Sequence, residues 1–436
     1  MLKLSKIYKP QSFICKEIFK KKSFFAIFLK ALSIPTAFLI NIILAKFCNA
    51  EIVGQYLLIT SFVTFMTGFF IFGTNKSLLI NIVKKSDSQK VNENLLNEGF
   101  LFAIFLSFLI FFVSMPFNYF IFEKFLSSSL SFGLIFIISF WISLRIFQTI
   151  ISSLHHASFD FTNSALSEPG NFLRNVLFLF FLLLSNFFLL ISLDSIIYIS
   201  LISLLITLLI NIHKLSFTIK IYIPEFKKFI NIFLTGLPLF YFGILQLFFK
   251  ELDFWISGYF FESEAIAVYR ISSRFADLFF ITQGIFIGIF SPYIIKFAAI
   301  RDKKSLKHLY KFISITMFFL SLLLFVVFIL FGKDLLAYLF TDLYKNGYQV
   351  IIIKSFAYVI YSLIGPSAFF LIYLGKANNA LRGLIVLTLI YIVTLSVITP
   401  IYGINGPAIS FTVFLALQSI FFFYYIFVKD EYENNK

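Results

Sequence analysis

Residues 231 to 296 read NIFLTGLPLFYFGILQLFFKELDFWISGYFFESEAIAVYRISSRFADLFFITQGIFIGIFSPYIIK. Most of this stretch is apolar enough to sit in lipid, yet it carries Lys250, Glu251, Asp253, Arg270, Arg274 and Asp277. An α-helix turns ~100° per residue, so Arg270, Arg274 and Asp277 fall within roughly 60° of one another. Lys250 and Asp253 lie about 60° apart on the preceding helix, while Glu251 points well away from Asp253. A charge at membrane depth costs at least ~2.5–3.5 kcal/mol on insertion scales unless it faces protein or water. Two neighbouring helices that each devote a face to ionisable groups predict a polar cavity inside a membrane protein.

Composition agrees. The chain has 436 residues, of which 60% are hydrophobic, 13% are charged and 67 are Phe, and its mean hydropathy is +0.95. A soluble chain of this size needs a charged surface, so the composition excludes one. Strand-like alternation is absent, which predicts helical spans and excludes a β-barrel. The net charge of +15 resides in short basic loops between apolar runs. That is the pattern of membrane orientation and not of a nucleic-acid groove, so no nucleic-acid partner is expected. Cys15 and Cys48 sit in a basic tail and at a helix end, which argues against a disulfide. No CxxC, His cluster or HExxH pattern calls for a metal, and no cofactor is expected.

Twelve spans of about 20 residues or more are expected. They run over 24–46, 53–73, 100–121, 131–152, 171–191, 194–213, 232–258, 267–294, 309–331, 348–373, 381–399 and 406–428. The first follows a tail with seven Lys in residues 1–23; it is too long for a signal-peptide core and is read as uncleaved. Most Lys and Arg fall in the tail and in the 74–98, 214–229, 296–307 and 375–382 loops. The alternate loops are nearly bare, with 332–347 the least clean. Positive-inside then places both termini in the cytoplasm, as an even number of spans requires. The basic stretch KLSFTIKIYIPEFKKF at 214–229 is the one joint between halves, giving bundles of 1–220 and 221–436.

The halves also repeat. CNAEIVGQYLLITSF (48–62) aligns without gaps on FESEAIAVYRISSRF (261–275), matching Glu51 to Glu264, Tyr56 to Tyr269 and Phe62 to Phe275. Each block joins the first and second spans of a six-span half. The two halves therefore share an orientation, related by a pseudo-two-fold axis along the membrane normal.

Three groups of motifs carry a resemblance. They are AKFCNAEIVGQYLLITSF with FGTNKSLL; DFWISGYFFESEAIAVYRISSRFADL with SPYI; and FGKDLLAYLF with YGINGPAIS. In order and spacing the chain resembles the polysaccharide transporter, or O-antigen flippase, family, which is grouped with the multidrug and toxic compound extrusion proteins in one exporter superfamily. The resemblance implies two six-helix bundles, a central cationic cavity, and export of an undecaprenyl-pyrophosphate-linked sugar across the bacterial inner membrane. It also implies membrane lipids, a polysaccharide polymerase and chain-length machinery as partners, with H⁺ or Na⁺ as the coupling ion. The first half departs from the family by carrying few buried cations.

Each charge has two readings. Arg270 and Arg274 match phosphate oxygens bidentately and are candidate substrate ligands; the alternative is a structural pair with Asp277 or Glu264. Arg270, nearer the helix end, has the freedom to reach the interface. Lys250 joins them as a candidate cavity cation. Asp253 and Asp277 are candidate coupling-ion or proton sites; the alternative is a bridge to Lys250 or Arg274 at i,i+3. Glu251 is assigned to a helix–helix pair. Lys30 and Arg145 either line the cavity from the first half or snorkel to the headgroups. Arg174, Lys311 and Lys354 sit nearer span ends and are assigned to snorkelling. His155 and His156 are placed in a solvated 153–170 loop, and Pro35, Pro238, Pro292 and Pro366 are kinks or hinges. No Walker-type phosphate loop is present, so ATP is not the expected fuel. An ion-coupled drug or metabolite antiporter is the nearest alternative function. A polytopic sugar polymerase or ligase needs acid and base groups outside the membrane, which the short outer loops do not supply.

Overall fold

The computed structural model describes residues 21–85, 93–125, 132–158, 160–188, 192–220, 226–279, 294, 297, 302–364, 367, 370 and 377–425. Cys15, Pro292, Pro366 and the side chains of Lys250 and Pro238 lie outside the described residues. Among the described residues there are fourteen α-helices and no strand. They are α1 (Lys21–Phe47), α2 (Ala50–Phe70), α3 (Thr74–Lys85), α4 (Glu93–Phe125), α5 (Phe132–Ala157), α6 (Phe161–Ser167) and α7 (Phe172–Phe188). There follow α8 (Leu193–His213), α9 (Phe226–Phe260), α10 (Ser263–Ala276), α11 (Lys303–Leu339), α12 (Tyr348–Ile364), α13 (Ala377–Tyr402) and α14 (Gly406–Phe423).

Each of the twelve expected spans overlaps one of these helices, though of the eighth, 267–294, most lies outside the described residues; α3 and α6 are extra and short. The outward faces are apolar: Phe108, Leu209, Phe319, Leu323, Leu330, Leu389 and Val393 are 61 to 67% exposed. Only lipid tolerates such a surface, because water would drive these rings and branches together. The chain is a multi-pass, all-helical membrane protein.

Three expected loops are helical. Residues 74–85 of the supposed 74–98 loop form α3, because Leu78 and Ile82 give it an apolar face. Ile82 joins Leu96, Phe100, Ile151, Leu154 and Phe217 in one buried cluster. The supposed 153–170 loop holds the end of α5 and all of α6, so His155 is buried, with its Nε2 3.2 Å from the Asn211 carbonyl oxygen, and only His156 is exposed. Residues 332–339 extend α11 by about two turns.

Two compact units emerge, one of Met1–Phe47 with Phe62–Ile244, the other of Cys48–Ser61 with Leu245–Lys436. In the first, residues 215–220 are irregular but tied down. Asn97 donates to the Lys220 carbonyl at 2.7 Å, and the Lys220 amide donates back to Asn97 at 3.0 Å. Gly73 turns the chain between α2 and α3 with φ of 66°. A Cβ on Gly73 would come 2.5 Å from the Gly236 carbonyl oxygen, and one on Gly236 would come 2.7 Å from that of Phe72. Two backbones therefore touch, and side chains are excluded at both positions. In the second unit Gly54 plays the same part, since a Cβ there would overlap the carbonyl of Ser263. Cys48 lies in the corner between α1 and α2 and is free and half-buried. Burial pushes its thiol up to about 11, so it stays protonated at neutral pH.

Candidate functional site: a buried charge cluster on α9, α10 and α12

The corner between α9 and α10 is two residues long, Phe261 and Glu262. Such a hairpin sets residues equally far from the corner beside each other. Residue 251 accordingly meets 270, and 253 meets 269. Glu251 and Asp253 are two residues apart, about 200° around the helix, so they engage different partners.

Glu251 accepts from Arg270 Nη2 at 2.5 Å and from Ser61 Oγ on α2 at 2.5 Å. The Trp255 indole donates to the same Ser61 oxygen at 2.9 Å. The Arg270 guanidinium also lies 4.4 Å from the centre of the buried Phe254 ring. Both charged side chains are under a tenth exposed. Asp253 Oδ2 accepts from the Tyr269 hydroxyl at 2.6 Å and from Lys354 Nζ at 3.0 Å. Lys354 also donates to Ser273 Oγ and lies 3.8 Å from Asp277 Oδ1, which accepts from Tyr358 at 2.6 Å. Every one of these residues belongs to the second unit.

Sequence reading placed Asp253, Asp277 and both arginines on inward faces, with other partners as the structural alternative. Arg270 is paired with Glu251, not with Asp277 or Glu264, and is buried rather than reaching an interface. Asp253 bonds a lysine 101 positions away; its expected i,i+3 partner, Lys250, has a side chain outside the described residues. The assignment of Glu251 to a helix–helix pair agrees with its contact to Arg270 across α9 and α10. Lys354 corrects the sequence reading outright: it is 3% exposed and does not snorkel. Asp253 and Asp277 compensate its charge where lipid headgroups would otherwise have to. Tyr269, Tyr358 and Ser273 were missed, because a hydroxyl among many in an apolar helix carries no periodic signal; only their spacing from Arg270 and Lys354 marks them.

Arg274 differs from its neighbours. It is half-buried at the end of α10 and makes no hydrogen bond or ion pair among the described residues. Its charged surroundings are Arg270, Glu251 and Asp277. Asp277, the cap residue of α10, is 32% exposed at its side chain. Arg274 and Asp277 are thus the accessible end of an otherwise closed cluster.

Among the described residues, the first unit has no comparable group of buried charges. Lys30 is exposed and pairs with Glu168 of the α6–α7 corner at 2.6 Å. Arg145 is half-buried and donates to Thr64 Oγ1 at 2.9 Å. Both belong to the first unit, whereas the cluster residues belong to the second. No group of His, Cys, Asp and Glu suited to a metal occurs among the described residues.

In fold, the chain matches lipid II flippase MurJ in an inward closed conformation, with a TM-score of 0.69 at 15% identity over 93% of this chain and 87% of that one. It also matches an inward-facing multidrug resistance MATE family transporter of the MOP superfamily, with a TM-score of 0.72 at 13% identity over 95% and 100%. A third is a MOP superfamily transporter from Pyrococcus furiosus Vc1 described as having a binding pocket of reverse polarity, with a TM-score of 0.59 at 14% identity over 92% and 94%. These are transporters and a flippase, not enzymes. The family model "Polysaccharide biosynthesis protein" matches residues 19–297, and the chain belongs to that family. No curated protein sequence matches it.

Proposed function

We propose that the protein is a flippase that moves an undecaprenyl-pyrophosphate-linked oligosaccharide, an O-antigen or related repeat unit, from the cytoplasmic to the periplasmic leaflet. It sits in the bacterial inner membrane with both termini in the cytoplasm. Family membership supports a role in polysaccharide assembly, and the shared fold with a lipid II flippase supports a lipid-linked sugar as cargo.

Arg274 is the observation that carries this reading. Arg270 and Lys354 are hydrogen-bonded to acids in place, while Arg274, whose charge Glu251 and Asp277 balance only at a distance, has its donors unfilled among the described residues. A guanidinium retained at that cost inside a membrane protein awaits an anion. Its fork matches the oxygens of a pyrophosphate, and charged hydrogen bonds of this kind are worth about 1.5–3 kcal/mol each. Transport then proceeds by alternating access, driven by any difference in substrate affinity between the inward- and outward-open states.

The test is Arg274→Ala in cells with expression verified. Loss of surface polysaccharide with unchanged drug tolerance supports the flippase. Lost drug tolerance with normal polysaccharide supports the antiporter instead.

A further inference from the structure

The Lys354 ammonium occupies an unusual position. It is surrounded by Asp253 Oδ2 at 3.0 Å, Ser273 Oγ and Asp277 Oδ1 at 3.8 Å. Phe411 presents its ring face at 4.4 Å and Tyr269 at 5.8 Å. Both acids are steadied by phenols, Tyr269 on Asp253 and Tyr358 on Asp277. A further phenol, Tyr391, is fully buried, its hydroxyl unpartnered among the described residues, and both acids act on it electrostatically. Carboxylate and hydroxyl oxygens converging on one point are the donor set of a hard cation. The difference here is that the cation is tethered to α12.

The charge count points the same way. Among the described side chains, Glu251, Asp253 and Asp277 face Arg270, Arg274 and Lys354, three acids against three bases. Withdrawing the lysine charge leaves one uncompensated negative charge, which a single monovalent cation restores.

We propose that Lys354 is a resident cation filling an oxygen-lined site on α9, α10 and α12, and that this site takes a sodium ion once the ammonium is removed. In the native protein the site is closed to exchangeable sodium, so Asp253 does not serve as a sodium-coupling residue. This holds whichever substrate is carried.

The experiment uses the purified full-length chain and reads its thermal midpoint in sodium chloride against choline chloride at equal ionic strength. A bound cation stabilises by mass action. The expected result is a saturable, sodium-specific rise for Lys354→Met, none for wild type, and none for Lys354→Met with Asp253→Asn. A Lys354→Met midpoint that is indifferent to the salt, or a wild type that responds to sodium as strongly, overturns the proposal. Should Lys354→Met not survive purification, its folded yield from membranes solubilised in each salt gives the reading. A higher yield in sodium supports the resident cation, and equal yields overturn it.

Discussion

The two units handle charge in opposite ways. In the first, buried polar residues are neutral: Gln148, His155, Ser200, Ser203, Thr207 and Asn211 are all at most 1% exposed. Its cations sit at the margins, Lys30 on the exposed Glu168 and Arg145 half-buried against Thr64. In the second, Glu251, Asp253, Arg270 and Lys354 are all at most 6% exposed and joined in pairs. Among the described residues, buried charge is concentrated in one unit. Neutral polar groups satisfy a helix interior; paired charges at membrane depth cost several kcal/mol each to desolvate and are retained where something must be held or switched.

The largest expected effect comes from breaking a pair in the charged unit. Arg270→Met leaves Glu251 buried without its cation, with a loss of about 3–5 kcal/mol in unfolding free energy. Adding Glu251→Gln removes the stranded charge and recovers most of that loss. Denaturant titration of the purified protein checks both, and a single variant as stable as wild type denies that the pair is closed off from water.

A middle-sized effect sharpens the neutral side of the contrast. Gln148 is fully buried, and neither its amide nitrogen nor its oxygen has a partner among the described residues. Gln148→Leu is therefore expected to be neutral or to stabilise by about 1 kcal/mol, since it removes an unmet desolvation cost. A clear destabilisation in the same titration means that the amide holds something in the native state.

The smallest effect belongs to Lys30. Its pair with Glu168 is exposed, 51% and 39% at the two side chains. Lys30→Ala is expected to change stability by at most ~1 kcal/mol, less at high salt. A loss as large as that of Arg270→Met would erase the difference between the units.

The sequence made the spans legible because apolar runs of ~20 residues have no other reading. Helical spacing likewise put Asp253, Arg270, Arg274 and Asp277 on inward faces and set Glu251 apart for a helix–helix pair. It did not disclose α3, whose two buried apolar residues among those described, Leu78 and Ile82, are too few to show as a span. Lys354 was misassigned because a lysine near a span end normally reaches the headgroups. What prevents that is Asp253, 101 positions earlier, and no local pattern reports so distant a partner. The Glu251–Arg270 pair was nearer to hand, since the short corner at Phe261 and Glu262 makes 251 and 270 neighbours once the hairpin is drawn.

The account stands most directly on what Arg274 holds. Equilibrium binding of an undecaprenyl-pyrophosphate-linked sugar to the purified protein, with Arg274→Ala set beside Lys30→Ala, measures it. The expected result is at least a roughly tenfold loss of affinity for Arg274→Ala, about 1.4 kcal/mol, with thermal stability retained and Lys30→Ala close to wild type. Undiminished binding by Arg274→Ala contradicts the account.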